Sequence, residues 1–203
     1  KDHLWVIGRD NRDNGRIMVF NKSNLLLAAE KTFARSHLSG FALANDTRAF
    51  VSGRIRASEE VPGSKAEDFL LACIEFNAPD ELEEKWKIIN GSAKGREWGS
   101  TLLALDNGDV LVGGNFDVFA GEDSNQSWTL GSAQNGPKRL LAPAGNGATG
   151  NGGLNFESFL ARYDKDGSLK WAQTSGLPGN DFAVALAKTN NHAILLGTSK
   201  LSL

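Results

Sequence analysis

The sequence predicts an all-β protein: a β-propeller of four-stranded antiparallel blades, either part of a ring or a small one. Two observations carry this. One short script of apolar strands and polar turns recurs three times along the 203 residues. Almost no helical periodicity interrupts it. A strand unit of about 40–45 residues is the size of a propeller blade. A sandwich or barrel of similar strands is the competing arrangement.

The clearest copy starts at Phe159-Leu-Ala-Arg-Tyr-Asp164, turns through Lys165-Asp-Gly167, and returns as Ser168-Leu-Lys-Trp171. It then runs through Asn180-Asp-Phe-Ala-Val-Ala-Leu-Ala187 and closes on Ala193-Ile-Leu-Leu-Gly197. Three further apolar segments end in glycine: Trp5-Val-Ile-Gly8, Phe50-Val-Ser-Gly53 and Val110-Leu-Val-Gly113. From 8 to 53, 53 to 113 and 113 to 197 the steps are 45, 60 and 84 residues. Measured instead from each first strand, the units are steadier and cover about 17–53, 69–114 and 159–198, with a partial unit at 1–9.

Each unit holds four expected strands. The first is Ile17–Phe20, Phe69–Phe76 or Phe159–Tyr163, followed by an Asn-, Asp- or Gly-bearing turn that tolerates left-handed backbone. The second is Leu25–Phe33, Trp86–Ile89 or Leu169–Thr174, with Trp86 and Trp171 in equivalent places suited to packing between sheets. The third is small and apolar: Gly40–Ala44, Ser100–Leu105 or Phe182–Ala187. Its small residues allow sheets to approach closely. Asp106-Asn-Gly108 between apolar runs is the strongest hairpin signal before the fourth strand.

The joints differ in length. Residues 54–68 form a polar linker, and a long insertion covers 115–157. Its first half keeps Phe116, Val118, Phe119, Trp128 and Leu130, which suits packing; its second half is rich in Gly and Asn. Within it Asp117, Glu122 and Asp123 form an acidic group able to contact a ligand or hard cation, and Trp128 is a candidate stacking residue. These four are the candidate binding residues. An acidic loop is more often simply solvated, and no metal is expected.

Other patterns lack the context their chemistry needs. Gly145-Asn-Gly147-Ala-Thr-Gly150 spells a dinucleotide fingerprint, but Pro143 before it and Gly152-Gly153 after it leave no strand-to-helix turn. Asp164-Lys-Asp166-Gly167 opens like a calcium loop, yet the twelfth position is Ser175, so a hairpin turn is expected. His3, His37 and His192 have no partners at ligand spacing. Cys73, the single cysteine, sits in Phe69-Leu-Leu-Ala-Cys-Ile74 as a buried, inert thiol. No catalytic residue or cofactor is assigned.

With 22 basic and 24 acidic residues, the net charge of −2 gives no electrostatic case for nucleic acid. No apolar run approaches the roughly 18–20 residues of a membrane-spanning helix, so no membrane insertion is expected.

Over Phe159–Thr198 the chain resembles the bacterial SBBP-type repeats, whose pattern is F-hydrophobic-x-K/R-hydrophobic-D-x-x-G-x-hydrophobic-x-W, then G-x-x-D-D, then V-x-V-x-G. The likeness is fair over Phe69–Gly114 and weak over Ile17–Arg54. It implies a β-propeller, often a module of a large bacterial surface or secreted protein, and hence a location outside the cytoplasm. It implies no activity. Three units are few for a ring, so the missing blades are expected from other chain segments; the alternative is a four-bladed ring in which Lys1–Arg9 completes a blade begun at the other terminus. The leading expectation is a non-catalytic scaffold or recognition domain for a protein or glycan, acting through rim loops. Two alternatives stand beside it. One is the propeller portion of an enzyme, which requires Asp46, Asp106, Asp109 and Asp181 to converge on an axial pocket. The other is a structural subunit with open strand edges.

Overall fold

The computed structural model describes residues 2–56, 67–77, 79–91, 95–118, 127–130, 138–141, 155–175, 180–189 and 192–200. These form antiparallel sheets of two to four strands, with no helix among the described residues. The first sheet contains β1 (His3–Arg9), β2 (Gly15–Asn21) and β3 (Leu27–Phe33) in that order. The second contains β4 (Ser36–Leu43), β5 (Arg48–Arg56), β6 (Glu67–Asn77) and β7 (Glu81–Asn90), again in order. The third is built from β8 (Glu97–Ala104) and β9 (Val110–Val118), then β12 (Asn155–Tyr163) and β13 (Leu169–Ser175). A separate hairpin, β10 (Ser127–Leu130) with β11 (Lys138–Leu141), lies between β9 and β12 in the chain. β14 (Asn180–Lys188) and β15 (Ala193–Lys200) form the last sheet.

The sheets stack face to face in chain order, and β6 shows why. Phe69–Ile74 is fully buried at every position, because each face of its sheet meets a neighbour. Phe69, Leu71 and Cys73 join one core, shared with Phe50, Val112, Phe116 and Phe159. Leu70, Ala72 and Ile74 join the other, shared with Trp5, Ile17, Val19 and Val51. The strand period of two therefore feeds two cores from one strand. Burial pushes the Cys73 thiol up to about 11, so it is inert as expected from its surroundings.

The sheets do not coincide with the sequence units. Strands β4 and β5 close the unit 17–53, whereas β6 and β7 open the unit 69–114, yet all four share one sheet. The third sheet likewise takes β8 and β9 from one unit and β12 and β13 from the next. Strand limits also move at the long insertion. β9 continues to Val118 and β12 starts at Asn155, with Asn115, Asp117 and Val118 paired to Ser158, Phe156 and Asn155. Leu130 of the hairpin is fully buried in the core beside Phe116, so this part of the insertion packs.

Register makes the sheets superimposable. β2 with β3, β6 with β7 and β12 with β13 each carry an irregularity at the same place, after Val19, Cys73 and Arg162, whose partners are Ala29, Trp86 and Trp171. The two tryptophans are thus equivalent. β4 with β5, β8 with β9 and β14 with β15 each carry a bulge as well, at Leu38/Gly40, Gly99/Thr101 and Ala183/Ala185. The residue opposite the first member of each is glycine: Gly53, Gly114 and Gly197. Pairing with Arg16, equivalent to Leu70 and Phe159, puts Gly8 in the same series. The register therefore selects Gly114 and not the adjacent Gly113.

Candidate functional site

Buried polar groups concentrate where the start of β8, the end of β9, the start of β12 and the start of β14 meet. β9 runs between β8 and β12, so Phe116 has Glu97 across from it on one side and Glu157 on the other. Both glutamates are fully buried. One residue along, Asn115 is buried too, accepts from Ser100 Oγ at 3.1 Å, and donates to the Asp181 carbonyl at 2.8 Å. Asn180 Oδ1 accepts from the Phe156 amide at 3.0 Å. These contacts hold β14 against the third sheet.

Aromatic side chains surround this end. The Phe156 ring meets Trp98 at 5.2 Å and Phe182 at 5.5 Å, with the Arg96 guanidinium 5.4 Å above it. Arg96 Nε also stands 3.8 Å from Asp117 Oδ2, too far for a hydrogen bond. The Asp117 side chain has no solvent exposure, and burial pushes its pKa up to about 6 despite the arginine. Burial, reinforced by the Asp181 charge, pushes Glu157 up to about 8. Glu157 therefore keeps its proton at neutral pH. The cluster can take up and release protons between the two values while its side chains stay buried.

Asp117 thus belongs to a strand and a buried cluster, not to an acidic loop. Glu122 and Asp123 lie outside the described residues. Trp128 is on β10 opposite Leu140, and its side chain lies outside the description. The Gly145–Gly150 pattern also falls outside it. Sequence reading missed Glu97 and Glu157. The available signal was a charged residue set between aromatics, as in Phe156-Glu-Ser-Phe159.

Asp164 behaves as a turn residue: its Oδ1 accepts from the amides of Asp166 at 3.0 Å and Ser168 at 2.8 Å, and its Oδ2 pairs with Lys170. No group of three His, Cys, Asp or Glu residues among the described ones has the geometry to hold a metal ion. The four aspartates considered for an axial site have different local partners. Asp46 and Asp106 occupy turns, Asp109 is paired with Arg162 at 2.6 Å, and Asp181 lies against Asn115. No family model matches the chain, and no curated protein matches it.

A second feature lies at the other end of the described chain. A cleft of about 300 Å³ separates β1 from the end of β4, lined by His3, Leu4, Trp5, Lys22, Leu43 and Asp46, among others. Leu4 and Leu43 remain 44% and 46% exposed there. Trp5 is buried beside it, edge-on to Phe76, and its indole Nε1 has no acceptor among the described residues.

Proposed function

We propose that the chain is a segment of a β-propeller that serves as a non-catalytic scaffold or recognition module for a protein or glycan. The observation that supports this most is the recurrence of one sheet plan, with bulge, glycine and outer irregularity repeated. The edge strands β4, β8 and β14 touch one another in succession. Ser39 Oγ donates to the Gly99 carbonyl at 2.6 Å, and the Leu186 amide donates to Thr101 Oγ1 at 3.1 Å. Inner strands joined edge by edge fit blades around an axis. The likeness to SBBP-type repeats points the same way and suggests a bacterial surface or secreted protein.

A rigid stack leaves recognition to its connecting segments, chiefly the insertion between β9 and β12. The test is binding to an array of immobilised glycans and cell-surface proteins. Residues 119–126 and 142–154 are replaced by Gly/Ser linkers, sparing the hairpin that anchors Leu130. Loss of a defined interaction with an unchanged melting temperature is the expected result. Binding that survives the replacement overturns recognition through this insertion. The reading as a structural subunit is favoured by β1 and β15, each paired on one side only among the described residues.

A further inference from the structure

We propose that the open edge of β1 is an acceptor for an extended strand of Ser/Val–small–apolar sequence, laid antiparallel with a β-bulge opposite Gly8 and supplied from outside the described residues. This rests on the equivalence of the sheets alone, whether or not the rim loops recognise a partner.

Three sites in the same molecule show what occupies this edge. The strand equivalent to β1 is β5 in the second sheet, β9 in the third and β15 in the last. Each has an inner neighbour, β4, β8 or β14. At each bulge the neighbour's backbone presses on the opposing glycine. A Cβ on Gly53 would collide with the carbonyl oxygen of His37, and one on Gly114 with that of Trp98. On Gly197 it would lie 3.0 Å from the carbonyl oxygen of Phe182. The strand that lies there excludes a side chain at Gly53 and Gly114 and crowds one at Gly197.

Gly8 occupies the fourth such position, and among the described residues a Cβ there would meet only the Met18 methyl at 3.6 Å, an ordinary contact. The backbone relief is present, and the strand that requires it is not among the described residues. The neighbouring groups fit the same occupant. In the second sheet, Leu43 at the end of the inner strand pairs with Ala49, the equivalent of Leu4. The corresponding end of a strand on β1 would enter the cleft between Leu4 and Leu43 and cover both.

The occupant's chemistry follows from the resident examples. It carries Ser or Val at the bulge, as at Ser39, Ser100 and Val184. A small residue follows, as at Gly40, Thr101 and Ala185, and apolar residues lead toward the cleft. Main-chain hydrogen bonds to β1 supply the attraction, and the bulge opposite Gly8 fixes the register.

The test is a hairpin graft. Residues 36–47, which carry β4 and its turn, are joined directly ahead of His3, and the fused and unfused chains are compared with and without Gly8→Val. The graft is expected to raise Tm by roughly 5 °C and to slow amide exchange at Leu4–Arg9 at least tenfold. Gly8→Val should abolish both gains and leave the unfused Tm unchanged. As a second measurement, a synthetic peptide of residues 36–43 should shift the Leu4–Arg9 amide resonances of the unfused chain, and not those of its Gly8→Val variant. A graft without effect, or a gain that survives Gly8→Val, overturns the proposal. So does an unfused chain that sediments as a dimer with its β1 amides already protected, which would make a second copy the occupant.

Discussion

The indole N–H of Trp86, on the edge strand β7 of the second sheet, donates to the Lys165 carbonyl at 2.9 Å, in the β12–β13 turn of the third. Its ring covers Gly167, where a Cβ would fall 2.9 Å from Cδ2. Gly167 itself has a φ of 85°, so the turn demands glycine for conformation as well as space. Trp86→Phe is expected to cost about 1 kcal/mol through the lost hydrogen bond. Gly167→Ala should cost about 2 kcal/mol, since strain and overlap act together. Urea titrations of the two variants check the order.

The glycine series gives an internal control. Gly53→Ala and Gly114→Ala drive a methyl into backbone that cannot give way, and each should destabilise by about 3 kcal/mol. Gly8→Ala should leave stability unchanged or raise it by up to about 1 kcal/mol, because alanine restricts the unfolded chain. Chemical denaturation separates the two outcomes clearly.

Stability should fall as pH rises from about 4.5 toward 8. The unfolded glutamate loses its proton near its ordinary value, whereas folded Glu157 holds it up to about 8. The folded state then binds the extra proton, and Glu157 alone contributes a slope of at most about 1.4 kcal/mol per pH unit. Asp117 adds to the fall between about 4 and 6. Above pH 8 the loss is complete. Glu157→Gln should flatten the upper part of this dependence, which thermal melts at half-unit pH intervals would register.

Leu25 is 66% exposed and sits at φ 57°, left-handed backbone that suits leucine poorly. Its amide bonds to the Asn21 carbonyl at 2.8 Å, so the turn is otherwise well made. Leu25→Gly should therefore stabilise the chain by about 1 kcal/mol. A lower melting temperature would contradict this.

The strands and most turns were legible in the sequence because both are local. Period-two burial marks β2, and Asp106-Asn-Gly108 closes its hairpin with Gly108 at φ 88°. The equivalence of Trp86 and Trp171 was legible too, since the spacing from strand to tryptophan survives in both copies. Sheet membership was not. It depends on which of two neighbouring strands a strand pairs with, and Val51 opposite Ala72 leaves no trace in composition. Choosing Gly114 over Gly113 needs the bulge at Gly99/Thr101, a one-residue shift that no residue type announces. The site was the least visible part. Asp117 reads as a loop acid, and only pairing with Phe156 reveals it as a buried strand residue.

The linker at 57–66 joins β5 to β6, two neighbours within one sheet, and does not separate two sheets. Nine residue pairs, from Arg48–Glu75 to Arg56–Glu67, hold these strands together. A single cut in the linker would therefore leave two fragments clasped along their full length, each contributing half of the second sheet. The chain is joined where it looks divisible, and new termini placed in that linker would open a circular permutant through the middle of a blade-like sheet without loosening it.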